Sequence, residues 1–356
     1  MSITRLESIK MHRNHKRTAE AASLLYVTDT TPGILRTKKG SGFSYSLDNA
    51  IVRDPEVLLR IRRLVIPPAW VRVWICTKAN GHIQATGYDV RGRKQYKYHP
   101  QWSAVRNQTK FHRLIEFGKE LPQLRKRIEK DIGSTKLTRE KVLATVVSLM
   151  ERTFIRVGNS EYEKLYGSYG LTTMKDGHVD ISGATMKFSF KGKKGIFHAI
   201  TLKNKRLARI VKACRDIPGK ELFQYFNEDG VRCSIDSGMV NDYLRETTTK
   251  DFSAKDFRTW AGTLSILSSF KSIGQAATQS EIRKNVMQAL DEVSAKLGNT
   301  RTICKKYYVH PEIIRMYEEQ NLQKYLDQLD TAENSDAEND DLTQDEKVLM
   351  KILKRI

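Results

Sequence analysis

The alternation of apolar and polar positions changes character near residue 105. Before it, short runs of period two are separated by turn residues, and residues 72–77 and 82–88 flank an Asn80-Gly81 pair. Asn-Gly between two alternating runs is a strong hairpin signal. The first part of the chain is therefore predicted to be a small β-rich domain.

Beyond residue 105 the apolar positions recur at helical spacing, as in Val142 and Val146. Three short runs with strand character interrupt the helices, at residues 178–181, 186–190 and 198–202. The predicted fold class is α+β. A small β-rich N-terminal domain precedes a mostly α-helical domain that contains a short three-stranded sheet.

The expected division of the chain is 1–105 for the β-rich domain, 106–329 for the helical domain and 330–356 for a C-terminal extension. Residues 1–35 are polar and basic, which predicts a flexible or loosely docked arm. Residues 330–341 form an acidic linker. Thr343 and Glu346 then have the spacing of a capping box, ahead of a short basic amphipathic helix. The sequence leaves open whether this extension shields a basic surface or is only a tail.

The formal net charge is +21 over 356 residues. Such an excess of Lys and Arg favours a polyanionic partner, because neutralised phosphates release condensed counterions. Composition alone does not choose among DNA, RNA and an anionic membrane, and it also fits a basic surface without a specific partner.

No apolar run approaches the ~20 residues that span a bilayer, and the basic N-terminus has no apolar stretch behind it. The expected location is therefore the cytoplasm. The four cysteines are far apart in sequence and form no CxxC pair, which predicts reduced thiols and neither a zinc site nor a redox motif.

The sequence contains no Walker loop, no HExxH, no GxSxG and no carboxylate cluster suited to Mg²⁺. Phosphoryl transfer without a metal needs a nucleophile, cations around the phosphate and an acid for the leaving oxygen. Tyrosine, arginine and lysine can supply all three.

Several segments that carry such residues occur in a characteristic order. They are 154–159 (FIRVGN), 168–179 (SYGLTTMKDGHV), 190–193 (FKGK), 255–260 (KDFRTW), 297–299 (LGN) and 305–311 (KKYYVHP). Together they resemble the type IB DNA topoisomerases, especially the poxvirus and bacterial branch. The resemblance covers most of the chain from about residue 40 to residue 325.

The resemblance implies five catalytic residues. Tyr308 would be the nucleophile, and Arg156 and Arg258 would bind non-bridging phosphate oxygens, for which the planar guanidinium fork is suited. Lys193 would be the general acid for the 5′-oxygen, with a pKa lowered by the two arginines. Asn299 would donate a hydrogen bond to a phosphoryl oxygen.

Two of these assignments have rivals in the sequence. Tyr307 is an alternative nucleophile, although the nine-residue step from Asn299 to Tyr308 and the following Val-His-Pro favour Tyr308. Lys191 and Lys194 flank the acid candidate, and only its position after a glycine, as in the family, distinguishes it.

A second set of residues is implied to contact DNA, and it alternates basic groups with tyrosines. Its members are Arg93, Lys94, Gln95, Tyr96, Tyr98 and Tyr162. Glutamine can bind adenine through two hydrogen bonds in the major groove. An edge strand with alternating aromatic packing is the other interpretation of residues 93–98, and Tyr162 could equally pack.

The implied function is relaxation of supercoiled duplex DNA through a transient 3′-phosphotyrosyl intermediate, strand rotation and religation. The resemblance implies no ATP, no metal, no small-molecule cofactor and no membrane. It also implies a monomer with the form of a C-shaped clamp on double-stranded DNA, nucleoid-associated if bacterial. The preferred cleavage site stays open.

Two alternative functions come from different classes. A tyrosine recombinase would share the nucleophile and both arginines. It typically has His-x-x-Arg where this chain has Lys255-x-x-Arg258, and its N-terminal domain is usually helical. A non-enzymatic DNA-binding protein would leave the ordered catalytic set unexplained.

Overall fold

A computed structural model describes residues 14–90, 92–330 and 341–356, without the side chains of 107–109 and 112. Its contacts divide the chain into two compact units, one ending at Arg113 and one beginning at Leu114, so the division falls within a long helix. The predicted α+β class is confirmed.

The first unit contains one antiparallel sheet with the strand order β3-β2-β1-β4-β5-β6. Its elements are α1 (His15–Ala21), β1 (Ile34–Lys39), β2 (Gly42–Leu47), β3 (Ala50–Ile51), α2 (Pro55–Arg63), β4 (Val71–Ile75), β5 (Ile83–Tyr88) and β6 (Lys94–Tyr98). The two strands predicted around Asn80-Gly81 pair as β4 and β5. Ile34, Val73, Ile75 and Ala85 of the sheet pack against Ile61 of α2 to form the core.

The prediction of a loosely docked arm is wrong from residue 14 onward, and residues 1–13 lie outside the described part of the chain. The side chain of Asn14 caps α1, and Ala19 and Leu24 are buried in a cluster with Trp102. Leu25 also forms a parallel bridge with Gly81 of the β domain. The few apolar residues of this segment are spaced so that one face is buried. The overall polar composition of the segment gave no indication of that face.

The second unit is helical around two small sheets. Its helices are the later part of α3 (Pro100–Ile132), α4 (Arg139–Thr153), α5 (Ser160–Tyr166), α6 (Lys205–Arg215), α7 (Ser237–Thr248), α8 (Ala254–Ile273), α9 (Gln279–Leu297), α10 (Arg301–Tyr307), α11 (Pro311–Glu318), α12 (Gln323–Leu326) and α13 (Gln344–Arg355). Residues 142–150 of α4 are all buried, so the helix predicted from one apolar face is the centre of the unit.

The predicted three-stranded sheet is confirmed as β7 (Val179–Ser182), β8 (Thr185–Lys191) and β9 (Phe197–Lys203), antiparallel in that order. A second sheet, β10 (Gln224–Phe226) with β11 (Arg232–Ser234), was not expected from the pattern. None of the described helices is long and apolar enough to cross a membrane.

The C-terminal helix belongs to the core of the second unit. Thr343 caps α13 in the predicted capping box, and Val348 and Ile352 are fully buried. A Cβ on Gly118 of α3 would lie 2.5 Å from the Met350 sulfur, so that glycine allows α13 to pack closely. The interpretation as a simple tail is therefore wrong; most of the predicted acidic linker, residues 331–340, lies outside the described residues.

A buried ion pair anchors α13. Arg125 donates to Glu346 and to Glu151, and the Trp260 indole also donates to Glu346 at 3.1 Å. Burial raises the pKa of Glu346, but the Arg125 guanidinium and the other donors outweigh it and hold that pKa below its ordinary value. The charged pair therefore links α3, α4, α8 and α13.

We expect Glu346→Gln to lower the free energy of unfolding of the helical unit by about 3 kcal/mol near neutral pH, because Arg125 keeps its charge without a full partner. A depressed carboxyl pKa contributes stability above the unfolded-state value of about 4.3 and loses it as the pH falls through the folded-state value. Urea unfolding followed by helical circular dichroism should show the difference shrinking as the pH falls below about 4.3.

The control is Arg315→Gln, which removes an exposed ion pair with Glu312 that is worth about 0–1 kcal/mol. A loss for Glu346→Gln that is equally small, or that does not change with pH, would contradict this account of the network.

Candidate active site

A cleft of about 540 Å³ lies in the second unit. Its lining comes from five separate parts of the sequence: Arg156, Val157, Gly158, Asn159, Tyr162, Ser168, Tyr169, Lys193, Ala254, Lys255, Arg258, Ile303, Tyr307 and Tyr308. Four of the five predicted catalytic residues therefore share one cavity. The fifth, Asn299, is hydrogen-bonded to one of them.

Arg258 lies in the second turn of α8 and is 5% exposed. One terminal nitrogen donates to the carbonyl of Phe154, which caps α4, and the other donates to the carbonyl of Leu297, the last residue of α9, at 2.6 Å. Helix C-termini present unpaired carbonyls and partial negative charge, so a buried cation is stabilised there. Burial lowers the pKa of Arg258, and Tyr308 opposes that shift.

The same guanidinium has a buried nitrogen without a protein partner. Within the described residues, the Nε atom of Arg258 is buried and has no hydrogen-bond partner. Each terminal nitrogen uses one N–H for its carbonyl, and a guanidinium carries five N–H groups, so donors remain for a phosphate. Nε is therefore a donor that a phosphate oxygen can accept from without breaking either carbonyl contact.

Arg156 lies in an irregular segment that follows α4. Backbone hydrogen bonds join this segment to residues 171–172. Leu171 donates its N–H to the Arg156 carbonyl at 2.9 Å, and Thr172 donates to the Val157 carbonyl at 2.7 Å. A Cβ on Gly170 would lie 2.5 Å from the Arg156 carbonyl oxygen, so only glycine permits this approach. The segments 154–159 and 168–179, which are separate in the sequence, are therefore bonded to each other and together hold the backbone of Arg156.

The Arg156 side chain points at the end of α9. Its Nη2 atom donates to Asn299 Oδ1 at 2.5 Å and to the Gly298 carbonyl at 3.2 Å. Burial lowers the pKa of Arg156, and the nearby charge of Arg258 lowers it further. Asn299 acts here as an acceptor that orients Arg156, whereas the sequence suggested a donor to phosphate.

Tyr308 ends α10, and its ring lies under Arg258, with the guanidinium carbon 5.2 Å from the ring centroid. Its backbone is held by α8, since Thr263 donates its hydroxyl to the Tyr308 carbonyl at 3.1 Å. A Cβ on Gly262 would lie 2.7 Å from that carbonyl oxygen. Tyr307 also lines the cleft and lies beside Lys306.

Lys193 begins the turn between β8 and β9, in which Lys194 has a positive φ of 64°. Its ammonium lies 5.6 Å from the centroid of the Tyr162 ring. Of Lys191, Lys193 and Lys194, Lys193 is the one that lines the cleft in the described part of the chain.

The predicted DNA-contact residues of the first unit lie on β6, which is an edge strand of the sheet. Side chains alternate between the faces of a strand. Lys94, Tyr96 and Tyr98 share one face, where the two tyrosine rings stack 5.8 Å apart and are almost half exposed. Gln95 points to the opposite face.

Three of these residues are already paired with aspartates. Asp89 accepts from Arg93 at 2.8 Å and from Gln95 at 3.1 Å, and Asp29 binds Lys94 at 2.6 Å. Asp89 stands on the loop before β6 and Asp29 precedes β1, so the second contact joins residues far apart in sequence. The sequence contained no pattern that indicated either aspartate.

Comparison with known proteins identifies the family to which a chain with this set of residues is similar. Residues 97–335 match the family described as eukaryotic DNA topoisomerase I, catalytic core, and residues 42–89 match bacterial DNA topoisomerase IB, N-terminal domain. A DNA topoisomerase 1B of Acanthamoeba polyphaga mimivirus is 31% identical over 294 residues, covering 80% of this chain and 88% of that protein.

Poxvirus proteins are more distant relatives. The DNA topoisomerase I of monkeypox virus is 23% identical over 237 residues, covering 66% of this chain and 72% of its own. The DNA topoisomerase 1B of vaccinia virus (strain Copenhagen) is 24% identical over 240 residues, with the same coverage.

The chain belongs to the type IB DNA topoisomerases. It is an enzyme that acts on DNA, and its family relaxes DNA through a phosphotyrosyl intermediate. This membership rules out the recombinase and the non-enzymatic alternatives. Among the described residues, no group of three or more His, Cys, Asp and Glu is placed to hold a metal ion.

We expect Gly262→Ala to slow strand cleavage about 10- to 100-fold, because the added methyl group must push the Tyr308 backbone away from α8, and displacements near 1 Å cost rates of this order. Single-turnover formation of the covalent protein–DNA complex measures the effect. Gly177→Ala is the control, since a Cβ there meets nothing within 4 Å. Equal cleavage rates for the two variants would show that the close approach does not hold the tyrosine.

Proposed function

We propose that the cleft formed by Arg156, Lys193, Arg258 and Tyr308 is where this topoisomerase cleaves and rejoins one DNA strand. The observation that carries the proposal is the position of the Tyr308 ring beneath the buried Arg258 guanidinium, in the same cavity as the other two cations. The four groups come from separate elements, and this supports a common task.

In the proposed reaction the Tyr308 hydroxyl oxygen attacks the phosphorus of a backbone phosphodiester. A phosphorus–oxygen bond to Tyr308 forms as the bond to the 5′-oxygen breaks, and the tyrosine proton is released to solvent. Lys193 gives a proton to the departing 5′-oxygen. The 3′-phosphotyrosyl ester conserves the bond energy, so the reverse attack by the 5′-hydroxyl reseals the strand without ATP.

The two arginines stabilise the charge that develops on the non-bridging oxygens. Arg258 offers its unpartnered Nε, and Arg156 is aimed by Asn299. Both guanidinium groups are held in place by protein carbonyls and an amide before DNA binds, so little reorganisation is needed at the moment of reaction.

We also propose that the exposed face of β6, with Lys94, Tyr96 and Tyr98, contacts duplex DNA, while Asp89 holds Arg93 and Gln95 in place for base recognition. Tyr162, beside Lys193, would contact the DNA near the cleaved phosphate. The protein would act as a monomer, because one chain carries every group of the cleft.

The proposal predicts that Tyr308→Phe abolishes both plasmid relaxation and the covalent adduct, because the attacking oxygen is missing, while DNA affinity stays within about 3-fold. The wild type should relax positive and negative supercoils in EDTA without ATP. Tyr307→Phe is the matched control and should retain activity. An adduct that survives Tyr308→Phe but is lost in Tyr307→Phe would place the nucleophile one residue earlier.

A second prediction concerns the proton donor. Lys193→Ala should slow cleavage about 10²- to 10⁴-fold on an ordinary substrate, the usual contribution of a general acid. Replacing the bridging 5′-oxygen with sulfur should restore most of the rate, since a thiolate leaves without protonation. Lys194→Ala is the control from the same turn. If sulfur does not restore the rate of Lys193→Ala, Lys193 is not the acid.

A further inference from the structure

His198 of β9 has no role in the chemistry derived so far, yet it lies between two parts of the active site. A Cβ on Gly192 would lie 2.6 Å from Cδ2 of the imidazole and 2.7 Å from its Nε2. A Cβ on Gly298 would overlap Cε1 from the other side and lie 2.9 Å from Nε2. The ring therefore fills the gap between two glycine turns.

Each of these turns carries a catalytic group. Gly192 directly precedes Lys193, and the N–H of Gly192 donates to the Ile196 carbonyl at 2.7 Å to close the hairpin turn. Gly298 directly precedes Asn299, and its carbonyl accepts from Arg156. The imidazole thus separates the acid from the group that aims the phosphate-binding arginine.

The plane of the ring is also fixed. His198 is paired across the β8–β9 ladder with Phe190, whose ring is 3% exposed. The two rings stack with centroids 5.0 Å apart and planes 11° from parallel. Stacking on the buried Phe190 ring fixes the orientation of the imidazole. Its two edges can therefore set the distance between Gly192 and Gly298.

The surroundings of the His198 imidazole favour its neutral form. Burial lowers the pKa of His198, and the positive charges of Arg156 and Arg258 lower it further. Lys193 adds a third cation on the adjacent turn. A neutral imidazole can therefore occupy this gap without repelling the cations that it separates.

We propose that His198 is a positioning residue that sets the distance between the Lys193 turn and the Gly298–Asn299 turn. Its flat ring keeps the Lys193 ammonium in reach of the leaving 5′-oxygen while Arg156 holds the phosphate. This inference rests on the proposed role of Lys193 as the acid. The position of the ring also accounts for glycine at 192 and 298, because any larger residue there would collide with the imidazole.

The test is single-turnover cleavage by His198→Ala on substrates with 5′-oxygen or 5′-sulfur leaving groups. We expect a loss of about 10- to 100-fold with oxygen, since a misplaced acid loses much of its effect, and a loss at least 5-fold smaller with sulfur. His198→Phe keeps a flat ring and should cleave within about 3-fold of the wild type. In a Lys193→Ala background, His198→Ala should cost little more.

Two further variants separate positioning from folding. Ile200→Ala removes another half-buried side chain from the same face of β9 and should affect both substrates equally. His198→Leu keeps the buried volume, but its branched shape must push the turns apart, so it should show the oxygen-specific loss even if the alanine variant is unstable. Thermal melting verifies that each variant is folded.

Equal losses on the two substrates, or no loss, for both His198→Ala and His198→Leu would overturn the inference. That result is distinct from failure of the proposed function, which would appear as absent sulfur rescue in Lys193→Ala itself.

Discussion

The active site depends on one buried guanidinium that binds the ends of two helices. Arg258 donates to the Phe154 carbonyl after α4 and to the Leu297 carbonyl at the end of α9. Each helix end concentrates partial negative charge, and together they compensate a cation that burial would otherwise penalise. The segments that carry Arg156 and Asn299 begin at these two carbonyls. The arginine that we propose to bind phosphate is therefore also the group that joins the two segments.

These two contacts suit an arginine at position 258. A lysine would offer a single ammonium at the end of a flexible stem, whereas the planar guanidinium reaches two carbonyls in fixed directions and still keeps Nε available. The position of the charge is set by the fold before any DNA arrives.

Much of the fold could be predicted because its elements have strong local signals. The Asn80-Gly81 turn, the three strands around the Lys193 turn and the capping box at Thr343 all appear as expected. The docking of the segment around Ala19 and the burial of the predicted C-terminal helix could not be predicted, because a few apolar residues gain their partners only through tertiary contacts.

The candidate catalytic residues were named from the resemblance to the type IB topoisomerases, and the structure brings all five together. The groups that position them were missed. Gly262 and His198 act through approaches between segments distant in sequence, which a one-dimensional pattern does not contain. The close approach at Gly170 had a weak signal in the sequence, because the segments 154–159 and 168–179 that meet there each contain a glycine.

One helix supports both partners of the proposed attack. Arg258 and Gly262 are one turn apart on α8, so the proposed phosphate-binding cation and the residue that contacts the Tyr308 backbone share a face of the same helix. Any tilt or slide of α8 during a catalytic cycle moves the two together. A rigid-body displacement of α8 would therefore change the position of both groups and leave the spacing between them unchanged.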